Sequence, residues 1–543
     1  MCGFTGYFNF PSFQNQKSIE SFTSLIRNRG PDSSSYKVIR NKLTLIFTRL
    51  SIIDLSSSGD QPMTSLSGNS TIVFNGEIYN YKEVKNYLSN FKFKGKSDSE
   101  VILEAIEKFG FKIIEKFKGM YSFVFYDHVN SFLYLVNDRF GEKPLYFYND
   151  KQKIFFSSDI KSFTFEKREI NKYSLSNFFN NYVINYPNSI WKNVNRIKPA
   201  HIYKFKLNFE DNKVAFVSKE KYWDSSKKVI INNKDSLDII TNKLEDLLFD
   251  TIDKHLDNDV PTACFLSGGV DSSLVAAVAS KINKNLNTLS IGFKDINLDE
   301  SRYAIKVAEH LKSNHNNKIL EINEVQDILK IIPDVYGEPF ADSSQIPTLL
   351  LCKYASSKFK VCLTGDAGDE LFCGYDRYDF VPKFWRVVKY LPKNVRKVIQ
   401  KIFEKTSPFS YLTIKFIIQN IFLKYKQTIF LETKLRNLLL SLDSKNSTEF
   451  AKKLSFHFFD DYGLLKNTKS FKREYLYDDD LSIMNNIMID DVNDYLPNDL
   501  LVKVDRAAMY YGLETRIPFL DHHIYEFSKT VPDKFKINKG KSK

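Results

Sequence analysis

The stretch Phe265–Ser273, FLSGGVDSS, constrains this chain more than any other. An apolar run from Pro261 to Phe265 predicts a buried strand before it, and a second from Leu274 to Ile282 predicts a buried helix after it. Between them Ser267, Gly268 and Gly269 allow the backbone to turn tightly with its N–H groups exposed. A strand, a glycine-rich turn and a helix N-terminus together make an anion cradle, because unpaired N–H groups and the helix dipole both favour phosphate. Asp271 in the same turn repels phosphate unless a divalent cation lies between the two. The spacing is not G-x-x-x-x-G-K-[ST], so the loop is not a P-loop. An ordinary glycine turn inside a core satisfies the same physics, and the rest of the chain has to separate the two readings.

A chain of 543 residues is too long for one core, and two or three domains are expected. Its 43% hydrophobic and 26% charged residues are those of a globular protein. No run of about eighteen apolar residues is present, so no membrane partner is expected. The N-terminus, MCGFTGYFNF, lacks the basic and apolar regions of a signal peptide, which makes the cytoplasm the expected location. The net charge of +13 comes from lysines dispersed through the chain, without a basic stripe or a nucleic-acid motif, so no nucleic-acid partner is expected either. The cysteines are Cys2, Cys264, Cys352, Cys362 and Cys373; no C-x-x-C pair occurs and the count is odd, which argues against a disulfide framework.

Cys2 stands apart from the others. Removal of the initiator Met gives one residue both a thiol and a free α-amine, and the amine then serves as an attached base. Position 2 is often small for unrelated reasons, so the motifs that follow decide its meaning. They are Arg29-Gly30-Pro31-Asp32, Arg49 through Asp54 (RLSIID), Gln61-Pro62-Met63, Asn75 through Asn80 (NGEIYN) and Ser97 through Glu100 (SDSE). In this order they resemble the class II, N-terminal-nucleophile glutamine amidotransferase domain as fused in the glutamine-hydrolysing asparagine synthetase family, over roughly the first 160 residues. The string SGGVDSS resembles the pyrophosphate loop of the ATP-pyrophosphatases, and Thr364 through Glu370 (TGDAGDE) the second ATP motif of that synthetase half.

The resemblance implies a role for each matching position. Cys2 is the nucleophile, with Asn75 and Gly76 as oxyanion hole. Arg49, Leu50, Ile52, Ile53, Asn75, Gly76, Glu77 and Asp98 surround glutamine, Arg49 at its α-carboxylate and Glu77 and Asp98 at its α-amine. Leu266, Ser267, Gly268, Gly269, Asp271, Ser272, Ser273, Ile291, Thr364 and Gly365 surround ATP. Asp271 and Asp369 hold Mg²⁺, since acidic residues in a turn that faces polyphosphate imply a metal. Asp366 is an acid/base near an acyl-adenylate, Tyr375 an active-site tyrosine, and Arg506 a cation that stabilises charge there. Met120 lines a passage for ammonia or fills a gap in a core.

The implied fold is an α+β N-terminal-nucleophile sandwich (αββα) over residues 1–215. A doubly wound parallel α/β sheet of the ATP-pyrophosphatase type, with helical additions, follows over residues 235–543. The periodicities agree. Short strands alternate with two helices, near 80–90 and 99–109, in the first half, and Lys206 to Lys234 reads as a connection. From Asp235 to Leu256 an amphipathic helix is predicted. Strands at 287–293, 317–322 and 359–364 then alternate with helices at 301–311, 325–336 and 345–357. Residues 376–480, rich in Lys and Phe, read as a helical insertion.

Two enzyme readings remain at this point. In the first, ammonia from glutamine attacks a β-aspartyl-AMP made from ATP and aspartate; in the second, the same architecture amidates a sugar carboxylate. The partners are glutamine, ATP and the acceptor, with a homodimer left open. Members of the resembled family continue past the lysine-rich Lys534–Lys543, so an uncovered apolar face at Leu520, Ile524, Tyr525 and Phe527 and a marginal second half are expected.

Overall fold

The alternating apolar runs of the first half form two six-stranded antiparallel sheets in the computed structural model, which describes residues 2–89, 91–164, 168–229, 235–293, 299–405, 437–439, 441–454 and 476–537. The first sheet runs Val194–Arg196, Tyr146–Asn149, Ile154–Ser157, Cys2–Phe8, Leu43–Arg49, Ser33–Ile39. The second runs Lys213–Lys221, His201–Asn208, Phe132–Asn137, Gly119–Asp127, Ser70–Ile78, Met63–Thr64. Strand alternation decides which side chains fill which layer. Phe4, Phe8, Leu45 and Phe47 face Val73, Val124, Leu133 and Leu135 between the sheets. Tyr7, Ile46 and Phe155 point the other way, onto Ile19, Phe22 and Ile26 of the helix Gln16–Ile26. Ile72, Phe74 and Phe123 pack in turn on the helix Asp98–Phe109. Both faces of both sheets are therefore covered, and the layers run helix, sheet, sheet, helix.

The supposed connection, Lys206 to Lys234, instead carries most of a hairpin, His201–Asn208 paired with Lys213–Lys221. In the latter strand only Val214 is buried, because it lies at the sheet edge; a single inward residue leaves no apolar alternation to read.

The second half holds five parallel strands in the order Asn314–Leu320, Asn287–Phe293, Thr262–Phe265, Val361–Leu363, Glu514–Arg516. The chain begins in the middle, builds outward to one edge and then returns to the other side. The topological switch lies between Thr262–Phe265 and Val361–Leu363, where open α/β sheets bind ligands beyond the strand ends. Both glycine-rich motifs leave these two strands. The edge strand starts at Asn314, earlier than the 317 expected, because its polar first half (Asn314–Asn317) pairs through His315 and Asn317 with Thr288 and Ser290. Within 376–480 the described helices are Asp376–Val388, Lys393–Lys405 and Ser447–Lys453; 406–436 and 455–475 lie outside the described residues. Among the described residues no helix is long and apolar enough to cross a membrane.

The face expected to lie open is covered. Leu520, Ile524 and Tyr525 are buried with Phe140 and Leu248, while Trp223, arriving from the hairpin, stacks edge-on against Tyr525. Phe140 of the first half and Trp223 from the segment between the halves thus supply part of the cover, while Phe527 is half-buried.

A buried ion cluster fastens the halves together. Arg29 donates to both oxygens of Asp505, at 2.9 and 3.2 Å, and Lys143 Nζ lies 3.4 Å away. Burial pushes the Asp505 carboxyl up, and the two cations overcome that and hold it below the usual range. Asp505→Asn leaves two buried cations without their counterion and should lower stability by about 3–5 kcal/mol, measured by denaturant unfolding. Because the native carboxyl is depressed, this contribution is present above about pH 4 and fades as pH falls below it.

Candidate active sites

Cys2 opens the central strand of the first sheet, opposite Arg49 in register. Its backbone N–H donates to Asn75 Oδ1 at 3.0 Å, from one sheet to the other. That bond turns the carboxamide so that Nδ2 faces away, buried and without a hydrogen-bond partner among the described residues. An unpaired amide donor beside a thiol suits a developing oxyanion. Burial raises the thiol pKa, and the Leu50 N–H and the Arg49 charge offset this only in part, so the thiol needs a base.

Gly76 has φ of 150°, and a Cβ there would stand 2.1 Å from the Met120 carbonyl oxygen. Only glycine permits this strand to run so close. Glu77 and Asp98 lie side by side. Asp98 accepts the Ile78 N–H at 3.0 Å from the first turn of its helix, yet burial lifts it to about 6. Glu77 rises well above its ordinary value through burial and the neighbouring Asp98, and its Oε1 is buried unpaired. Arg516 Nη2, from the second half, lies 3.6 Å from Glu77 Oε2.

Leu50, Ile52 and Ile53 form an apolar cluster with Val361 of the parallel sheet. Arg49, expected to meet a free carboxylate, has its guanidinium committed to Asp60 at 2.9 Å and to the Ser56 and Asp54 carbonyls. It closes the loop after its own strand.

The second site is a cleft of about 590 Å³ at the topological switch. Leu266, Ser267, Gly269, Asp271, Ser272, Ile291, Thr364 and Gly365 line it, together with Asp366, Asp369 and Tyr375. Gly268 and Ser273 are not on its wall; Gly268, at φ of 80°, lets the helix with Tyr303 and Ala304 approach within 2.5–2.6 Å of where a Cβ would be. Ser267 and Ser272 hydroxyls bond at 2.9 Å across the turn. The Asp271 carboxylate rests on Gly368, where a Cβ would stand 2.6 Å from its carbon, so it reaches the turn that carries Asp369. Asp366 rises through burial, although Thr364 Oγ1 donates to it at 2.7 Å.

Arg506 departs from its expected place and does not line the cleft. Its guanidinium donates to Tyr146 OH at 2.6 Å and to the Tyr336 carbonyl at 3.0 Å, toward the first half. Arg506 lies nearly a full turn beyond Lys503 on the helix Leu501–Tyr510, about 4.5 Å farther along its axis, where it meets Tyr146 of the sandwich. The cation on the cleft wall is Lys503, and it is held by Asp342 at 2.8 Å and Ser344 at 2.6 Å. Glu370 was also missed: it lines the cleft, accepts the Tyr375 hydroxyl at 2.6 Å and is raised by burial to about 7. Glu370 belongs to the string TGDAGDE quoted above and Lys503 lies three residues before Arg506, but only the fold shows which of these residues face inward.

A thiol at the head of a sandwich strand, joined through a buried interface to a glycine-rich anion cradle, is the build of a glutamine-dependent amidotransferase. Comparison with known proteins agrees: residues 1–223 match the glutamine amidotransferase domain model, and residues 243–543 the asparagine synthase model. The chain belongs to the asparagine synthase family. Asparagine synthetase [glutamine-hydrolyzing] 1 of Bacillus subtilis is 28% identical over 551 residues, covering 100% of this chain and 83% of that protein. The putative asparagine synthetase 2 of Methanocaldococcus jannaschii is 32% identical over 421 residues, 72% of this chain and 80% of that one. Amidase chry2 of Gibberella zeae is 28% identical over 411 residues, 70% and 60%.

Gly76→Ala adds one methyl where the Met120 carbonyl lies. Glutaminase activity should fall at least a hundredfold and stability by about 2 kcal/mol, read from glutamate release and thermal melting. Unchanged values would mean the strand can move aside.

Proposed function

We propose that this enzyme amidates aspartate to asparagine with ammonia cut from glutamine, through a β-aspartyl-AMP. The observation that carries the reading is the continuity of the two sites: Tyr79 and Met120 beside the Cys2 pocket pack directly on Met509 of the helix that carries Lys503.

In the first step the Cys2 α-amine, free once Met1 is removed, takes the thiol proton, and Sγ attacks the glutamine amide carbon. Asn75 Nδ2 and the Gly76 N–H receive the oxyanion. Ammonia leaves, a glutamyl thioester remains, and water releases glutamate. Glu77 and Asp98 hold the glutamine α-ammonium, whose charge offsets their burial. Ammonia crosses by the Tyr79–Met120–Met509 contact, whose apolar walls disfavour ammonium over neutral ammonia.

In the cleft an aspartate carboxylate oxygen attacks the ATP α-phosphorus and pyrophosphate leaves. The N–H groups of the Ser267–Ser272 turn hold the phosphates. Asp271 and Asp369 suit Mg²⁺, because Gly368 leaves room for the first to lie against the turn of the second; the metal would neutralise polyphosphate charge. Ammonia then attacks the β-carbonyl carbon, AMP departs, and Asp366, its carboxyl raised, receives the proton shed by nitrogen.

Cys2→Ala should end glutamine hydrolysis and leave ammonia-dependent AMP formation intact, whereas Asp271→Asn or Asp369→Asn should abolish AMP formation with either nitrogen donor and leave basal glutamine hydrolysis largely intact. A mature protein that retains Met1 on mass spectrometry with full glutaminase activity overturns the attached-amine step.

Glutamine capture needs the Asp98 carboxylate, which is lost as pH falls through about 6. Glutaminase kcat/KM should therefore drop roughly tenfold per pH unit below that point, and Asp98→Asn should flatten the limb while lowering its plateau.

A further inference from the structure

Glutamine brings one ammonium to two buried acids. Glu77 is 4% exposed and Asp98 5%, and the Asp98 charge bears on Glu77. Two carboxylates in one buried site do not both ionise unless cations match them, and a single ammonium matches one. Among the other groups that bear on Glu77, Glu514 opposes its ionisation, while the amino terminus and Arg516 favour it. Tyr79 and Tyr81, which feel its charge, are kept neutral by burial. The amino terminus has to be uncharged to take the thiol proton, which leaves Arg516.

Arg516 belongs to the second half and is 0% exposed. Its carbonyl accepts the Thr364 N–H at 2.9 Å, beside the nucleotide cleft. Its Nε donates to Glu514 at 2.7 Å and its Nη1 to the His255 carbonyl at 2.6 Å, which would complete a pair that served its own half alone. Nη2 has no hydrogen-bond partner among the described residues and lies 3.6 Å from Glu77 Oε2, whose companion oxygen is buried unpaired too. The guanidinium carbon stands 5.4 Å from the centre of the Tyr79 ring, which stacks on His255 at 3.7 Å, so the fork is fixed in place. A buried donor with no partner is costly, and this one is aimed across the interface at an acid in the same state.

We propose that Arg516 is a positioning residue for glutamine capture: it supplies the cation that lets Glu77 stay a carboxylate beside Asp98, ready for the α-ammonium. This rests on the reading of Glu77 and Asp98 as the ammonium site and adds the group, from the other half, that makes two acids tenable there. Burial and Asp98 push the Glu77 carboxyl well above its ordinary value, and the Arg516 charge draws it back. Removing that charge should therefore raise the pH below which glutamine is no longer held.

The experiment replaces both members of the buried pair, so that no charge is left alone. Glu514→Gln is compared with Glu514→Gln/Arg516→Gln in the full chain, by glutamate release against pH. Loss of the arginine should raise KM for glutamine at least about tenfold near neutral pH with kcat little changed, and the difference should narrow as pH rises toward about 8.5. Glu514→Gln/Arg516→Lys, with the charge returned, should recover most of the loss. AMP formation with ammonia should be equal in all three, which separates capture from a general loss of structure. Matching pH profiles with and without the arginine, a lysine that recovers nothing, or AMP formation that falls in parallel overturns the inference. Glu77→Gln tests the reading beneath it: a raised KM for glutamine upholds that reading whatever the arginine variants do, and an unchanged KM overturns both.

Discussion

One buried guanidinium joins the chemistry of the two halves. Arg516 is fully enclosed; its Nε donates to Glu514 at 2.7 Å, its Nη1 to the His255 carbonyl at 2.6 Å, and its Nη2 faces Glu77. Glu514 and Arg516 end the parallel sheet beside Val361–Leu363, the strand that delivers Thr364 to the nucleotide cleft. Glu77 belongs to the strand that delivers Asn75 to Cys2. A counterion for Glu77, on the strand of Asn75, is thus supplied by the sheet that builds the other site. Arg516 draws Glu514 and the His255 carbonyl from its own half, and Glu77 at 3.6 Å is a contact that crosses to the other.

The second fastening, Arg29 and Lys143 on Asp505, works in the same way at the other side of the helix Leu501–Tyr510. That helix is the pivot of the molecule. Asp505 and Arg506 look to the sandwich, Lys503 and Val504 look to the cleft, and Met509 meets Met120 between them. Its sequence, LVKVDRAAMY, has charged residues at neighbouring positions because each turn of the helix meets a different partner.

Much of this was legible in the sequence. The resemblance implied the layered sandwich and the doubly wound sheet, periodicity agreed in the alternation of strands and helices, and the motifs fall at strand ends where a parallel sheet binds ligands. What escaped was direction. Arg506 and Lys503 sit in one string, and an axial rise of about 4.5 Å separates a cleft cation from an interface cation. Arg49 sits opposite Cys2 in register, yet its fork, expected at a free carboxylate, closes on Asp60 and carbonyls of its own loop, contacts that no linear pattern encodes. The hairpin at 201–221 was hidden because an edge strand buries one residue and shows lysines elsewhere.

The carboxyls divide into two energetic kinds. Glu514 is pushed up by burial but drawn down to about 2 by its partners, Arg516 among them, so its ionisation stabilises the fold above about pH 4 and that gain is lost as pH falls through 2. Asp98 is the reverse case. With a native pKa near 6, its charge at neutral pH costs folding about 3 kcal/mol, a cost relieved as pH falls from 6 toward 4. Glu514 lies where the halves are joined, and Asp98 lies beside the strand that carries Asn75. A bound ammonium cancels the penalty at the second kind, so occupied pockets should stabilise the fold beyond simple contact area, through the same linkage that depresses a carboxyl beside a cation. The joint is therefore built to hold with nothing bound, while the pockets reach their lowest energy only when filled.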